Sequence, residues 1–306
     1  MAFSGSTDFA LNRDQLIQEA AELTGAVDIA EGLEPHLINS FSRSLNLMLK
    51  SWQARGLFLH AYKSATLFLT KNAQSYLLGP TGAHCAESTV STTLSADAAL
   101  GAGTLTLYST AGITNGDYIG IELDDGTLQW TTVTDAAATT ITSVLTGAAS
   151  SGNAVYTYTT KILRPLAITD IRLKDSSGNE IPVTHLSQED YFRLPNKTSA
   201  GKCVQVAFDP QLTNAVLYTW PVCADVTTQL LFRYKRPIDD LDAQTDNAMV
   251  AADWYMALVS GLAYHIAPKL NIPIDKQVAL KARYDEALAG LDDFEEASFF
   301  LQPARR

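Results

Sequence analysis

Residues 35–56 read PHLINSFSRSLNLMLKSWQARG, and their spacing decides how the rest of the chain is parsed. Leu37, Ile38, Phe41, Leu45, Met48, Leu49 and Trp52 recur every three to four residues, which places them on one face of a helix. Pro35 stands where a first-turn proline is tolerated, and Gly56 is a natural stop. The plainest role of such a stripe is core packing. Working upstream, Asn12 can cap a second helix, with Gln15 three residues later completing a capping-box pattern. Leu16, Ile17, Ala20, Ala21 and Leu23 form its stripe, and Gly25 ends it. The far end of the chain shows the same period. Trp254, Leu258, Leu262 and His265 share a stripe, Ala257 and Gly261 are small enough for close helix contact, and Pro268 closes the element. A last helix, with Asp275 as its cap, lines up Leu280, Tyr284, Leu288 and Leu291.

Between these ends the period changes. Leu57, Leu59, Tyr62, Ala65, Leu67 and Leu69 suggest strands, and Gly79-Pro80 marks a turn. Residues 88–160 are rich in Thr, Ser, Ala and Gly and poor in charge. Short strands are expected over 104–108, 118–123, 128–133, 140–144 and 154–159, with Asp124-Asp125-Gly126 as a hairpin turn. Longer strands follow at 168–174 and 180–183 around Ser176-Ser177-Gly178-Asn179, then at 204–208, 215–220 and 229–236. The expected fold class is therefore α+β. A four-helix frame comes from residues 1–56 and 239–297. A large antiparallel β insertion spans 57–87 and 161–238 and contains a small β-sandwich or barrel domain at 88–160. Residues 298–306 form a C-terminal arm. A frame split in this way needs its two ends to meet in space, which favours a scaffold or assembly part over a pocket enzyme.

Composition narrows the function classes. The 306 residues carry a net charge of −11, and 46% are hydrophobic against 18% charged, so the chain can bury a core. An acidic protein gains little from phosphate contacts, which disfavours tight groove binding of nucleic acid. An acidic wall can still face DNA that must slide rather than stick. Cys85, Cys203 and Cys223 are odd in number and lack CxxC spacing, so neither a disulfide framework nor a structural zinc site is expected. The first residues lack the basic and apolar regions of a signal peptide. No apolar run approaches the ~20 residues of a membrane helix, so no membrane partner is expected.

Catalytic signatures are missing. There is no GxxxxGK[ST], HExxH, GxSxG or GxGxxG, and Gly201-Lys202 is followed by Cys203. His36, His60, His84, His185 and His265 are scattered without ligand spacing, and His265 on an apolar helix face reads as a packing residue. Asp239, Asp240, Asp242 and Asp246 could bind a divalent cation, or form a solvated loop with Asp246 favourable near a helix N-terminus. Asp124 and Asp125 are adjacent on a tight turn, which suits a hairpin tip better than an opposed acid pair. Cys85 beside His84 has no orienting partner. We expect no enzyme activity, no catalytic or metal-ligating residues and no cofactor. Asp285, Glu286, Asp292, Asp293, Glu295 and Glu296 form either a solvated helix face or, in a ring of such helices, an acidic lumen.

Several of these segments carry a resemblance. Residues 49–56 (LKSWQARG), Leu67-Phe68-Leu69 and Tyr76-Leu77-Leu78-Gly79 resemble the head-to-tail adaptors of short-tailed bacteriophages. These are the head-completion or packaged-DNA stabilisation proteins akin to tail tubular protein A. Phe208-Asp209-Pro210, residues 217–221, residues 232–238 and residues 254–268 fit the same pattern. Residues 88–160 depart from it, so no role is carried over to them. The resemblance implies a virion component at the head–tail junction, made in the host cytoplasm, forming a ring of about twelve copies. Its partners would be the portal protein, a tail tube or nozzle protein, and DNA passing without sequence-specific contact. In similar adaptors the C-terminal segment reaches the portal, which makes Phe299, Phe300, Leu301, Arg305 and Arg306 candidate anchors. The alternative is a carbohydrate- or surface-binding tail protein, with Trp130, Tyr156 and Tyr158 of the β insert stacking on sugars, although core or strand packing is the plainer role for these rings.

Overall fold

The structure, a computed structural model, describes residues 9–27, 32–57 and 61–295, with side chains to residue 291. It is a mixed α+β fold with several antiparallel sheets and, among the described residues, five α-helices. The chain divides into two compact units, one of residues 1–61 with 238–306 and one of residues 62–237.

The first unit holds α1 (Arg13–Thr24), α2 (Pro35–Arg55), α4 (Tyr255–Ile266) and α5 (Ile274–Glu295). Helix α1 begins with the expected capping box, the Asn12 side chain accepting from the Gln15 amide and Gln15 accepting from the Asn12 amide, each at 2.9 Å. Gly25 and Gly56 end α1 and α2 in the left-handed region, with φ of 69° and 85°. The stripes of α1, α2 and α4, with Leu280 and Tyr284 of α5, fill one core. Trp52 is fully buried there, its ring 5.9 Å from Trp254 and 6.2 Å from Tyr284, and its Nε1–H donates to the Tyr284 hydroxyl at 2.6 Å. Gly261 matters by its size. A Cβ at that position would lie 2.8 Å from Met48 Sδ and from the Tyr284 ring.

Two details at this end differ from the sequence expectation. Helix α5 starts at Ile274, so Asp275 lies inside the first turn, where a carboxylate favours the positive end of the helix, rather than at the cap. The stretch before α4 is not helical until the 3-10 turn Ala252–Trp254. It is pinned instead by a polar edge of α2. Asn46 Oδ1 accepts from the Leu241 amide at 3.0 Å, Gln53 Oε1 accepts from the Ile238 amide at 2.9 Å, and Lys50 donates to the Ile238 carbonyl at 2.6 Å. Spacings of four and three along α2 put all three side chains on one line.

The second unit contains strands β1 to β16 and helix α3 (Gln188–Arg193). One five-stranded sheet has the order β10 (Glu180–Pro182), β9 (Ala167–Lys174), β16 (Gln229–Lys235), β1 (Tyr62–Phe68), β3 (Cys85–Ala86). A four-stranded sheet has the order β11 (Thr184–Leu186), β13 (Gln205–Asp209), β14 (Ala215–Trp220), β2 (Ser75–Leu78). Inward residues of both sheets, among them Leu67, Phe232, Tyr234, Val206 and Leu217, fill a common core. The pairing is not wholly antiparallel. β11 runs parallel to β13, and β12 (Ala200–Gly201) runs parallel to β15 (Val222–Cys223). Pairs of two or three residues carry no readable period. Helix α3 was likewise not expected. Ser187 caps it, accepting from the Asp190 amide at 3.1 Å.

The inserted segment forms a single five-stranded antiparallel sheet, β4 (Val90–Thr93), β8 (Ala154–Tyr158), β5 (Tyr118–Glu122), β6 (Leu128–Asp135), β7 (Thr140–Ile141). Residues 104–108, expected as a strand, are held only by isolated bridges such as Thr104 to Thr140 and Leu107 to Leu94. Because successive side chains alternate, the sheet has two apolar faces. Ile119, Ile121, Val133 and Val155 join Leu94, Leu105 and Leu145 in the insert's own core. Tyr118, Leu128, Trp130, Tyr156 and Tyr158 occupy the opposite face and pack against Phe68 and Ala86.

Candidate functional site

The aromatic face of the insert is where the sugar-binding alternative would act, and the structure uses it internally. Phe68, at the end of β1, is buried under three rings, with centroids 5.0 Å from Trp130, 5.0 Å from Tyr156 and 6.2 Å from Tyr158. Tyr156 and Tyr158 are themselves only 6% and 3% exposed, which leaves no ring face for a ligand. Trp130 stacks flat on His84, with centroids 3.9 Å apart and planes within 4°. That seat depends on Gly120 across the ladder, since a Cβ there would lie 2.7 Å from the indole. His84 Nδ1 and the Tyr158 hydroxyl share a hydrogen bond of 2.6 Å. Burial first, and then the charge of Lys161, lowers the His84 pKa to about 4, so the imidazole is neutral at neutral pH. Sequence reasoning singled out Trp130, Tyr156 and Tyr158 but did not connect them with Phe68 and His84. The signal was the alternation itself, which puts Tyr118, Trp130, Tyr156 and Tyr158 on one face that must be covered.

The catalytic candidates resolve into structural roles. Cys85 is fully buried and its thiol pKa is pushed well up by desolvation, so it is a poor nucleophile. Asp124 accepts from the Ser150 amide and hydroxyl and from Asn153, and Asp125 accepts from the Thr127 amide and hydroxyl. These bonds hold both carboxyl pKa values below the usual range. They belong to a turn network, as the hairpin reading expects. A groove of about 720 Å³ lies beside β4 and is lined by Tyr108, Glu122, Tyr156, Lys174 and Asp175, among others. Its two carboxylates are committed to backbone amides, Glu122 to Ala154 and Asp175 to Ser177 and Asn179.

The acidic run before α4 is a folded loop. Asp246 accepts from the amides of Asp242 and Ala243 at 2.9 and 2.7 Å, and Asp240 pairs with Lys50 at 2.8 Å. The Asp242 carbonyl takes a bond from the Arg13 guanidinium, and the Asp246 carbonyl takes one from the Arg13 amide. Asp246 thus closes a turn and lies well before the start of α4, which corrects the helix-terminus reading. Among the described residues no group of three or more His, Cys, Asp or Glu could hold a metal ion. His265 is exposed at the end of the α4 stripe, edge-on to Tyr284 at 6.4 Å, rather than packed within the core.

Of the acidic lumen candidates, Asp285 and Glu286 are exposed on α5, on the side away from Leu280 and Tyr284. Asp292, Asp293 and Glu295 lie on the same helix beyond the last described side chain. Glu296 and the portal-anchor candidates Phe299, Phe300, Leu301, Arg305 and Arg306 fall outside the described residues. Among the described residues no helix is long and apolar enough to cross a membrane.

Among the described residues, then, there are packed units and solvent-facing helix surfaces, without a convergent catalytic group. Comparison with known families agrees with that character. Residues 114–306 match the family model of the SU10 adaptor protein. The match takes in β5 to β8 of the insert, so that much of the insert falls within the family pattern. It also covers the later resembling segments, 208–210, 217–221, 232–238 and 254–268. The earlier ones, between residues 49 and 79, lie outside it. No curated protein matches the chain.

Proposed function

Since this chain belongs to the SU10 adaptor protein family, and so is a structural component of a phage virion at the head–tail junction, we propose that it forms a ring below the portal. The ring extends the DNA channel, retains the packaged genome and gives the tail its attachment platform. The match over residues 114–306 carries this reading. The short-tailed morphology, the stoichiometry of about twelve and the cyclic symmetry are part of the same proposal.

The physical logic is that of a binding part. Helices from both ends of the chain share one core, so the proposed four-helix frame would present rigid faces to neighbours. Acidic residues on and after α5, beginning with Asp285 and Glu286 and continuing through Asp292, Asp293, Glu295 and Glu296, would give the channel a like-charge wall. Such a wall keeps the duplex from adhering while it moves. The C-terminal Phe299, Phe300 and Leu301 would anchor apolar contacts to the portal, and Arg305 and Arg306 would pair with acidic portal groups. A chain lacking residues 297–306 should keep its fold yet lose attachment to purified portal rings, measured by co-sedimentation and electron microscopy. Normal attachment of the truncated chain would remove the anchoring role.

A further inference from the structure

Helices α2 and α5 each have a core stripe and an outward face, and parts of the two outward faces match, although α5 also exposes Lys281 and Arg283 on either side of Ala282. Helix α2 carries Arg43, Lys50 and Arg55 and no acidic residue, although the chain as a whole is strongly acidic. Lys50 is matched by Asp240. Arg43 is exposed and close enough to Lys269 to help lower the lysine's pKa, with burial the larger cause. Lys269 itself leans on α2, donating to the Ser40 carbonyl and to the hydroxyls of Ser40 and Ser44. One turn after Arg43 stands Leu47, 73% exposed, off the core stripe and aligned with Arg43.

Helix α5 offers the counterpart. Opposite its Leu280–Tyr284 seam it exposes Ile274 at 76%, Val278 at 62% and the small Ala282, spaced four apart. Asp285 and Glu286 follow one turn later and straddle that line. Single exposed apolar residues are ordinary and need no partner. Here an exposed leucine lies about 6 Å along its helix from a basic pair, and an exposed Val–Ala step lies a similar distance from an acidic pair.

We propose that these two faces meet between copies of this chain. Leu47 of one copy seats on Val278 and Ala282 of the next, and Arg43 with Lys269 pairs with Asp285 and Glu286. The order of apolar and charged groups along each helix makes the two helices antiparallel across the contact. Two different surfaces are joined, so the contact is heterologous and propagates around a closed ring. Pairing with the neighbour's carboxylates offsets the like-charge crowding of Arg43 and Lys269. Asp285 and Glu286 then belong to the seam between copies, and the acidic wall of the channel narrows to the residues beyond them.

This inference rests on the ring reading, and its test separates the two. The native thiols are buried and poorly reactive, burial pushing Cys203 up to about 12, so introduced thiols report alone. A chain carrying both Leu47→Cys and Ala282→Cys is assembled on portal rings and oxidised. We expect a ladder of covalent oligomers, while each single variant stays a monomer on a denaturing gel. In parallel, Arg43→Glu with Lys269→Glu should raise the dissociation constant for assembly about tenfold or more, as should Asp285→Lys with Glu286→Lys. All four changes together should return it to within about threefold of the original. Rings that assemble without a ladder and ignore the charge changes would overturn this contact and leave the ring standing. Homodimers from Leu47→Cys alone would replace it with a two-fold contact. Failure of the unaltered chain to assemble, alone or with portal, would overturn the ring and this contact together.

Discussion

Replacing Trp52 by alanine is expected to cost the helical unit about 3–5 kcal/mol, a large share of the stability of an ordinary domain. The residue has no exposed surface, and its ring lies between Trp254 and Tyr284. Removing it leaves a void lined by α2, α4 and α5 and strips the Tyr284 hydroxyl of its indole donor. Trp52→Phe keeps most of the apolar volume and loses the hydrogen bond, so its cost should fall nearer 1–2 kcal/mol. Urea unfolding followed by far-ultraviolet circular dichroism measures both. A Trp52→Ala loss below about 1 kcal/mol would mean that this contact does not hold the two ends of the chain together.

The second large effect is expected at the seat of the insert. Phe68→Ala removes the ring on which Trp130, Tyr156 and Tyr158 converge and should also cost about 3–5 kcal/mol. The visible consequence is local. The insert should become sensitive to proteases at its two boundaries, near residues 88 and 160, before the rest of the unit opens. Acid acts on the same joint through His84. Its folded pKa of about 4 lies below the ordinary value of 6.5, so between those values the unfolded chain binds a proton that the folded chain does not. Stability from the neutral imidazole is complete above about pH 6.5 and is lost as the pH falls toward 4. Part of the ring faces solvent, which tempers the loss. His84→Gln should flatten this acid dependence while leaving the protein folded at neutral pH. A boundary cleavage rate that does not change between pH 7 and pH 4.5 would contradict the role given to His84.

The helical ends were the most readable part of the sequence because their signals are local. A capping box at Asn12 and Gln15, left-handed glycines at 25 and 56, and Pro35 in a first turn each act within a few residues. The alternation of the insert strands was readable for the same reason. The reason for that alternation was not. Nothing near Trp130 in the sequence says that its ring is covered by Phe68 and His84, which lie about 46 to 62 positions away along the chain. The rings therefore read first as core or strand packing, which they are, but the partner they pack against was not legible. The four-residue spacing that exposes Leu47 beside Arg43 and Val278 beside Ala282 was present too. It lay on the faces that core-seeking patterns discard, so a complementary pair of surfaces was visible only once burial was known. The anchors at 299–306 rest on the resemblance alone, since they lie outside the described residues.

One measurement bears most directly on the central claim, that this chain closes a collar at the head–tail junction which DNA traverses. Phage particles produced without this protein should be imaged by electron cryomicroscopy and assayed for packaged DNA. The account predicts heads that package and then lose their genomes, with bare portals and no tails. Particles without it that keep full genomes and carry complete tails would contradict it.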